Sequence, residues 1–272
     1  MAAAKRVKNC KAERNSVISP KQKEQHPVTI LHAGDLHLPG TFDETELSET
    51  YPIHAPFRAL EALIDTANHH KVDLLLFVGD LFDTYKPSEQ VVSFVLEQFK
   101  RLEARAILIP GNHDCLGSNE TYYQPAWNKS GQSPYVITDT EGELFKVPGL
   151  PVVIWGKGMI EHTPEYHPLE GLPPKTNGNW HVAMGHGFFY SEGESGFRAS
   201  PIHARQIRDS GWDYIALGHL HRQVEVSQGS VKAAYSGSPV ISWNPEAQAL
   251  LVTMDAREED PVSLKKLTLF FE

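Results

Sequence analysis

Five short apolar runs in the sequence are each followed by a turn residue and then by Asp, Asn or His. The run at 107–109 shows the pattern, because Pro110 and Gly111 interrupt it before an amide, an imidazole and a carboxylate. The same arrangement recurs after the runs at 28–33, 72–78, 181–184 and 214–217. The polar residues at these ends are candidates for chemistry: Asp35, His37, Asp80, Asn112, His113, Asp114, His186, His219 and His221.

These candidates offer oxygen and nitrogen donors and no thiolate, which suits a pair of divalent ions such as Mn²⁺, Fe or Zn²⁺. In open α/β sheets, ligands bind outside the carboxyl ends of the strands, so we expect the side chains to converge there. One carboxylate can bridge two ions. A pair roughly 3.5–4 Å apart can clamp the attacking and leaving oxygens of a phosphoryl displacement. The pattern therefore predicts a two-metal site.

The apolar runs must be strands for this convergence to occur, and the segments between them support that prediction. Residues 55–70 and 87–104 carry apolar side chains at helical spacing, and a strand pattern precedes or follows each of them. After Gly218 the pattern changes to four short runs that predict antiparallel strands. Residues 116–150 and 161–179 are predicted to be long loops, which are often functional in compact domains. We therefore expect an α/β fold.

Composition narrows the class of protein. The 272 residues suffice for a large core, and no apolar run approaches the roughly 20 residues of a membrane helix. Only two cysteines are present, Cys10 and Cys115, which predicts a cytoplasmic protein without a structural disulfide. Residues 1–27 carry seven Lys/Arg and two Glu, predict a disordered basic tail, and leave a charge of −14 on residues 28–272. Such an acidic body is not a general polyanion-binding surface.

The ordered motifs "GDLH", "GD", "GNHD", "GH" and "GHLH" resemble those of the calcineurin-like metallophosphoesterase superfamily. The stretches "HAGDLHLPG", "GDLFDTYKPSEQ", "IPGNHD", "YIALGHLHR" and "YSGSPV" look most like its SbcD-type DNA repair nucleases. The resemblance extends from about Val28 to about Val252. It implies a four-layer α-β-β-α sandwich of two packed mixed sheets. Because the sequence ends at Glu272, shortly after the β-rich part, we expect residues 28–272 to form a single metallophosphoesterase domain without a separate capping domain.

The resemblance also implies roles for the candidates. Asp35, His37 and His221 would hold one metal, Asp80 would bridge, and Asn112, His186 and His219 would hold the other. Mn²⁺ is the favoured ion, with Fe or Zn²⁺ as alternatives. A hydroxide bridging the ions would attack phosphorus, and His113 would face the substrate as an acid or phosphate contact. Asp114 would orient His113 and set its tautomer, as carboxylates beside site histidines do.

Two departures from the SbcD pattern bear on the substrate. SbcD-type nucleases usually continue into a capping domain and a segment that binds an ABC-type ATPase, and this sequence ends at Glu272. Thr84 and Tyr85 follow Asp83, where protein phosphatases carry an arginine that grips a phosphate dianion. We therefore expect a phosphodiesterase acting on small or short nucleotide-like diesters. A DNA nuclease working with an ATPase partner is the alternative, and long duplex DNA is not favoured.

Other interpretations of the same residues remain. A metal-stabilised scaffold would not need the acid at His113, and a phospho-aspartate mechanism at Asp35 lacks a second Asp two residues later. Cys115 is interpreted as a packing residue rather than a nucleophile. Arg198 is a candidate substrate contact, together with aromatic residues that follow His186 closely: Phe188, Phe189 and Tyr190. Assembly with copies of itself is left open.

Overall fold

The computed structural model describes residues 27–42, 55–118, 122, 127, 134–176, 178–194, 196–240 and 248–269. The predicted basic tail, apart from residue 27, lies outside the described residues. The strands in chain order are β1 (Val28–Ala33), β2 (Leu74–Val78), β3 (Arg105–Ile109), β4 (Tyr135–Val136), β5 (Glu143–Lys146), β6 (Val152–Gly156), β7 (Trp180–His186), β8 (Phe188–Tyr190), β9 (Pro201–His203), β10 (Tyr214–Gly218), β11 (Gln223–Glu225), β12 (Lys232–Ser236), β13 (Gln248–Met254) and β14 (Val262–Thr268). The α-helices are α1 (Ala55–His69), α2 (Glu89–Arg101) and α3 (Ala204–Ser210).

Two six-stranded mixed sheets form the centre of the fold. The first has the order β14-β13-β1-β2-β3-β4 and the second the order β11-β12-β10-β7-β6-β5, while β8 and β9 form a separate pair. One apolar cluster fills the space between the two sheets. A second lies between the first sheet and helices α1 and α2, and a third packs the second sheet against α3 and neighbouring loops. These layers confirm the predicted α-β-β-α sandwich.

The helices follow from sequence patterns that mark both their faces and their ends. Helix α1 buries Phe57, Leu60 and Ile64 on one face, at the spacing that an amphipathic helix requires. Helix α2 begins after Ser88, whose side chain accepts a hydrogen bond from the Val91 N–H and so caps the helix. Within the described ranges, no helix has the length and apolar character needed to cross a bilayer.

Parallel pairing brings the polar strand ends to one edge of the molecule. Strands β1, β2 and β3 are parallel in the first sheet, and β7 and β10 are parallel in the second. The register pairs Gly218 with His186, so the last residues of β10 and β7 lie side by side. Because the two sheets pack face to face, the carboxyl ends of all five strands meet at this edge, as predicted.

The structure differs from the predicted elements in several places, and it contains β8, β9 and α3, which no sequence pattern predicted. Strand β12 pairs parallel to β10 rather than antiparallel, and the last four strands divide between both sheets. The prediction was wrong because strand alternation carries no information on the direction of the partner. The predicted loop 116–150 contains β4, β5 and a short 3₁₀ helix at Leu116–Ser118. These elements are too short to show a periodic pattern.

A buried histidine that is not among the predicted ligands lies between the two sheets. His32 on β1 is fully buried, and its Nδ1 lies 2.8 Å from the Tyr214 hydroxyl on β10. Burial lowers the pKa of His32 to about 3, since the charged imidazolium loses its hydration there. His32 is therefore neutral in the folded protein above about pH 3.

This burial makes stability depend on pH in a definite direction. Above about pH 6.5 His32 is neutral in both states and contributes no slope. Below that value the unfolded chain gains a proton that the folded chain does not bind until about pH 3. The contribution of His32 to the free energy of unfolding should thus fall by about 1.4 kcal/mol per pH unit in this window. Denaturant titrations in chelator between pH 7 and 5 should show a smaller slope for His32→Gln, and parallel slopes would contradict the assignment.

Candidate metal centre

The segments that follow β1 and β2 are joined by backbone hydrogen bonds. The Asp35 N–H donates to the Gly79 carbonyl at 3.0 Å, and the His37 N–H donates to the Asp80 carbonyl at 3.0 Å. Four predicted ligands have positive φ, a conformation that costs free energy in residues other than glycine: Asp35, His37, Asp80 and His219. Such strain is typical of functional sites, where surrounding contacts hold the backbone in place.

A glycine at the end of β10 permits the two sheets to approach closely at this edge. A Cβ atom on Gly218 would lie 1.9 Å from the Val78 carbonyl oxygen and 2.8 Å from His186 Nδ1. No side chain fits at that separation. A Cβ atom on Gly79 would likewise lie 2.2 Å from His186 Nδ1, so the glycines at the ends of β2 and β10 are both required for close contact between the sheets.

The first group of converging side chains is Asp35, His37 and His221, the predicted ligands of one metal. Their donor atoms all lie within 4.8 Å of one another. His37 Nε2 and His221 Nε2 are 3.1 Å apart, and His221 Nε2 is 4.0 Å from Asp35 Oδ1. When two nitrogen atoms each bind the same ion at about 2.1 Å, the distance between them is close to the 3.1 Å that separates the two Nε2 atoms here. The donor set of this group therefore fits a divalent metal.

The second group contains Asn112, His186 and His219. Asn112 Oδ1 lies 2.9 Å from His186 Nε2 and 2.9 Å from His219 Nδ1. The other nitrogen of His186 donates to the Val78 carbonyl at 2.9 Å, which leaves a lone pair on Nε2 in the neutral ring. Two acceptors then face each other, so this position requires a positive charge. A proton on His186 or a metal ion between the donors would supply it.

Asp80 lies between the two groups. Its Oδ2 is 3.7 Å from His37 Nε2 and 3.3 Å from His186 Nε2, while its Oδ1 accepts a hydrogen bond from the His113 N–H at 2.8 Å. Only 1% of Asp80 is exposed. The carboxylate is thus placed as a bridging ligand would be, and the chain itself fixes it by the backbone of His113.

The titration behaviour of the buried groups shows how strongly this edge favours cations. Burial raises the pKa of Asp35 to about 7. Burial alone would also raise the pKa of Asp80, but the charges of His186 and His37 and hydrogen bonds hold it below its usual range. Burial would lower the pKa of His186, but the Asp80 carboxylate outweighs it and raises this pKa to about 9. Without metal, the carboxylates therefore draw protons into the site.

His113 has a different carboxylate partner from the one predicted. Its Nδ1 lies 2.8 Å from Asp83 Oδ1, and the same oxygen is 3.1 Å from His37 Nδ1. The hydrogen bond to Asp83 raises the pKa of His113. Asp83 therefore orients both the predicted acid and a predicted ligand. Its signal in the sequence was its position three residues after Asp80 in "GDLFD".

Asp114 has a structural role instead of the predicted orienting one. It is fully buried, and its carboxylate accepts hydrogen bonds from the backbone N–H groups of four residues: Asp80, Leu81, Phe82 and Gly111. The Tyr122 hydroxyl also donates to it. These bonds hold the turns after β2 and β3 against each other. The prediction was wrong because adjacent residues on a turn can point to opposite sides.

Arg198 and His162 differ in what they contact. The guanidinium carbon of Arg198 lies 4.2 Å from the centre of the Phe188 ring, and the backbone N–H of Arg198 donates to the Tyr190 hydroxyl. His162, which the sequence patterns did not single out, has its ring centre 5.3 Å from that of His219. It lies in the predicted loop 161–179, where only the length of the loop indicated a function.

Comparison with known proteins agrees with this geometry. The family model described as calcineurin-like phosphoesterase matches residues 28–223. The uncharacterised metallophosphoesterase YhaO of Bacillus subtilis is 30% identical over 221 residues, which cover 78% of this chain and 53% of YhaO. The DNA double-strand break repair protein Mre11 of Saccharolobus solfataricus is 26% identical, with coverage of 81% of this chain and 57% of Mre11.

The SbcD component of the nuclease SbcCD from Escherichia coli K12 is 24% identical, with coverage of 78% of this chain and 60% of SbcD. The chain thus spans somewhat more than half the length of these curated relatives. Among solved structures, a dimetal phosphatase from Danio rerio has a TM-score of 0.57 at 12% identity, with coverage of 90% of this chain and 99% of that one. This likeness shows the fold. The matching family model, which covers most of the chain, confirms the predicted membership: the protein belongs to the calcineurin-like phosphoesterases, with relatives in the SbcD-type branch.

Proposed function

We propose that this chain is a two-metal phosphodiesterase acting on small or short nucleotide-like diesters. The observation that supports this most strongly is the position of Asp80 between two groups of oxygen and nitrogen donors. Asp35, His37 and His221 would hold one ion, and Asn112, His186 and His219 the other. Mn²⁺ suits this donor set, with Fe or Zn²⁺ as alternatives. Family membership supports phosphoester hydrolysis as the class of reaction.

When bound, the two ions would activate water and neutralise charge on the phosphoryl oxygens. The chain's own contribution is to position the substrate and a proton. His113 is half-exposed beside His37, and Asp83 keeps its Nδ1 engaged, so its Nε2 is available to the leaving oxygen. Asp80 ties this arrangement to the ligands through the His113 N–H. A displacement of the Asp80 carboxylate or of the His113 backbone would therefore affect both metal binding and proton transfer.

The charge of the site supports diesters over monoesters. Three carboxylates face the two ligand groups or His113, namely Asp35, Asp80 and Asp83. They would offset three of the four positive charges that two divalent ions bring. The remaining charge suits the single negative charge of a phosphodiester better than the dianion of a monoester. Thr84 also occupies the position that an arginine would need in order to grip that dianion.

A nuclease is the second candidate. The similarity to Mre11 and to SbcD favours it, since those proteins act in DNA repair or as part of a nuclease by their names. In this case the substrate would be DNA, and an ABC-type ATPase would be the partner. The acidic body, with −14 on residues 28–272, argues against a long duplex track.

The proposal also covers the domain organisation of the chain and its location in the cell. Strand β13 pairs with β1, and β14 pairs with β13, so the last described strands complete the first sheet. This pairing supports one metallophosphoesterase domain from residue 28 onward. Cys115 is a free thiol, which suits a reducing cytoplasm.

We expect Mn²⁺-loaded protein to cleave bis-p-nitrophenyl phosphate with a higher kcat/KM than p-nitrophenyl phosphate, because the site charge suits a monoanion. Chelator should abolish both reactions. Thr84→Arg should move the ratio toward the monoester, with Thr84→Gln as the uncharged control of similar length. Initial rates on both esters with each variant provide the measurement.

Short single-stranded oligonucleotides and plasmid-length duplex DNA complete the screen. Processive degradation of the duplex by this chain alone, with a steep loss at high salt, would favour the nuclease candidate instead. A monoester preference in wild-type protein would contradict the charge argument.

A further inference from the structure

Each of the two ligand groups has one further imidazole beside it. The His113 ring centre is 4.6 Å from that of His37, which belongs to the first group. The His162 ring centre is 5.3 Å from that of His219, which belongs to the second group, and the two rings are tilted by 46°. The mechanism above uses His113 and leaves His162 without a role.

The backbone on both sides of His162 is firmly held. Before it, the carbonyls of Met159 and Ile160 accept hydrogen bonds from the segment just after Cys115, at 2.7 and 2.9 Å. After it, the Thr163 carbonyl accepts one from the Ser200 N–H at 2.8 Å. The loop that carries His162 is thus tied both to the turn that carries His113 and to the segment before β9. Such fixation suits a contact that must be placed accurately.

Ser200 holds the ring of His162 and is itself in a constrained position. It is fully buried, has a φ of 52°, and places its Oγ 2.8 Å from His162 Nδ1. A Cβ atom on Gly187 would lie 2.0 Å from the Ser200 carbonyl oxygen. Because Gly187 directly follows His186, this close packing couples the position of Ser200 to the second ligand group. The strained backbone of Ser200 is maintained by these contacts.

The pairing with Ser200 leaves one ring nitrogen available. A neutral imidazole has one donor and one acceptor nitrogen. When the Ser200 hydroxyl donates to Nδ1, the hydrogen resides on Nε2. His162 then has an N–H donor on a ring whose centre lies 5.3 Å from that of His219, and an anionic ligand of the two metals would lie close to the second group.

We propose that His162 binds the substrate by donating its Nε2–H to a non-bridging phosphoryl oxygen from the side of the second ligand group. Ser200 is the positioning residue that sets its tautomer and orientation. The phosphate would then be contacted by one imidazole from each side, with His113 at the leaving oxygen and His162 across from it. This inference rests on the proposed phosphodiesterase function.

Binding of inorganic phosphate by Mn²⁺-loaded protein tests the contact without turnover. His162→Ala should weaken phosphate binding about 10-fold, the effect of one hydrogen bond to a charged group, with metal content unchanged. His162→Gln should recover part of the loss, because its amide N–H can donate. Ser200→Gly removes the hydroxyl that holds His162, while glycine readily adopts the positive φ at this position. This variant should therefore show an intermediate loss of phosphate binding. His70→Ala, at the opposite end of the strands, is the matched control.

The kcat/KM for bis-p-nitrophenyl phosphate should fall in the same order across these variants. Phosphate binding by His162→Ala at the wild-type level overturns the proposal, and so does loss of metal in that variant. Wild-type protein that binds no phosphate overturns it too. If wild-type protein hydrolyses no diester, the proposed function fails by itself, and the phosphate titration still decides the role of His162.

Discussion

Asp80→Asn should lower metal occupancy at both sites and reduce turnover by about 1000-fold. The carboxylate lies 3.7 Å from His37 Nε2 and 3.3 Å from His186 Nε2, so its charge acts on both ligand groups. Loss of several kcal/mol of metal-derived stabilisation corresponds to about three powers of ten in rate. Metal analysis at saturation and initial rates on bis-p-nitrophenyl phosphate measure the two effects.

Asp35→Asn is the informative comparison. Both Asp35 oxygens lie within 3.1 Å of the His219 N–H, and the amide oxygen of Asn can still accept this hydrogen bond. We therefore expect occupancy to fall mainly at the first site. Asp65→Asn, on the exposed face of α1, makes the same chemical change away from the site and should have no effect. Wild-type protein that binds one ion or none at saturation would refute the two-metal proposal.

His113→Ala should lower turnover by about 10²–10⁴-fold while both metals remain bound. His113 is outside the two predicted ligand groups, and its contribution grows as the leaving oxygen gains charge. The loss should therefore be larger for an alkyl ester than for a p-nitrophenyl ester, whose leaving group departs without a proton. Kinetics on both esters, combined with metal analysis, measure this pattern, which is that of an interaction made in the transition state.

Two carboxylate variants distinguish a residue that orients His113 from a residue that stabilises the fold. Asp83→Asn should lower turnover less than His113→Ala, because the imidazole remains but loses a charged partner at 2.8 Å. It should also weaken metal binding at the first site, because the same carboxylate holds His37 at 3.1 Å. Asp114→Asn should instead lower thermal stability, since one carboxylate oxygen that accepts backbone N–H groups is replaced by a donor. Full turnover of His113→Ala on both esters, or loss of its metals, would show that His113 has another role.

Local pattern was sufficient to predict the strands and the residues at their ends. Strand β1 has the predicted bounds, and β2, β3, β7 and β10 differ from theirs by a few residues at most. This succeeds because apolar runs of strand length and the glycines after them depend only on neighbours in the chain. The convergence of the polar ends then followed from parallel pairing, which places carboxyl ends at one edge.

Contacts between side chains distant in sequence were decided by the tertiary structure. Asp83 rather than Asp114 meets His113, because the turns after β2 and β3 face each other in a way that spacing does not encode. His162 meets Ser200 and His219 for the same reason, since three separate loops bring them together. The sequence by itself determined which residues reach the edge and which chemistry they support. Only the tertiary structure determined which side chain contacts which, because those pairings depend on the register of strands within a sheet, on the approach of the two sheets and on loops far apart in the chain.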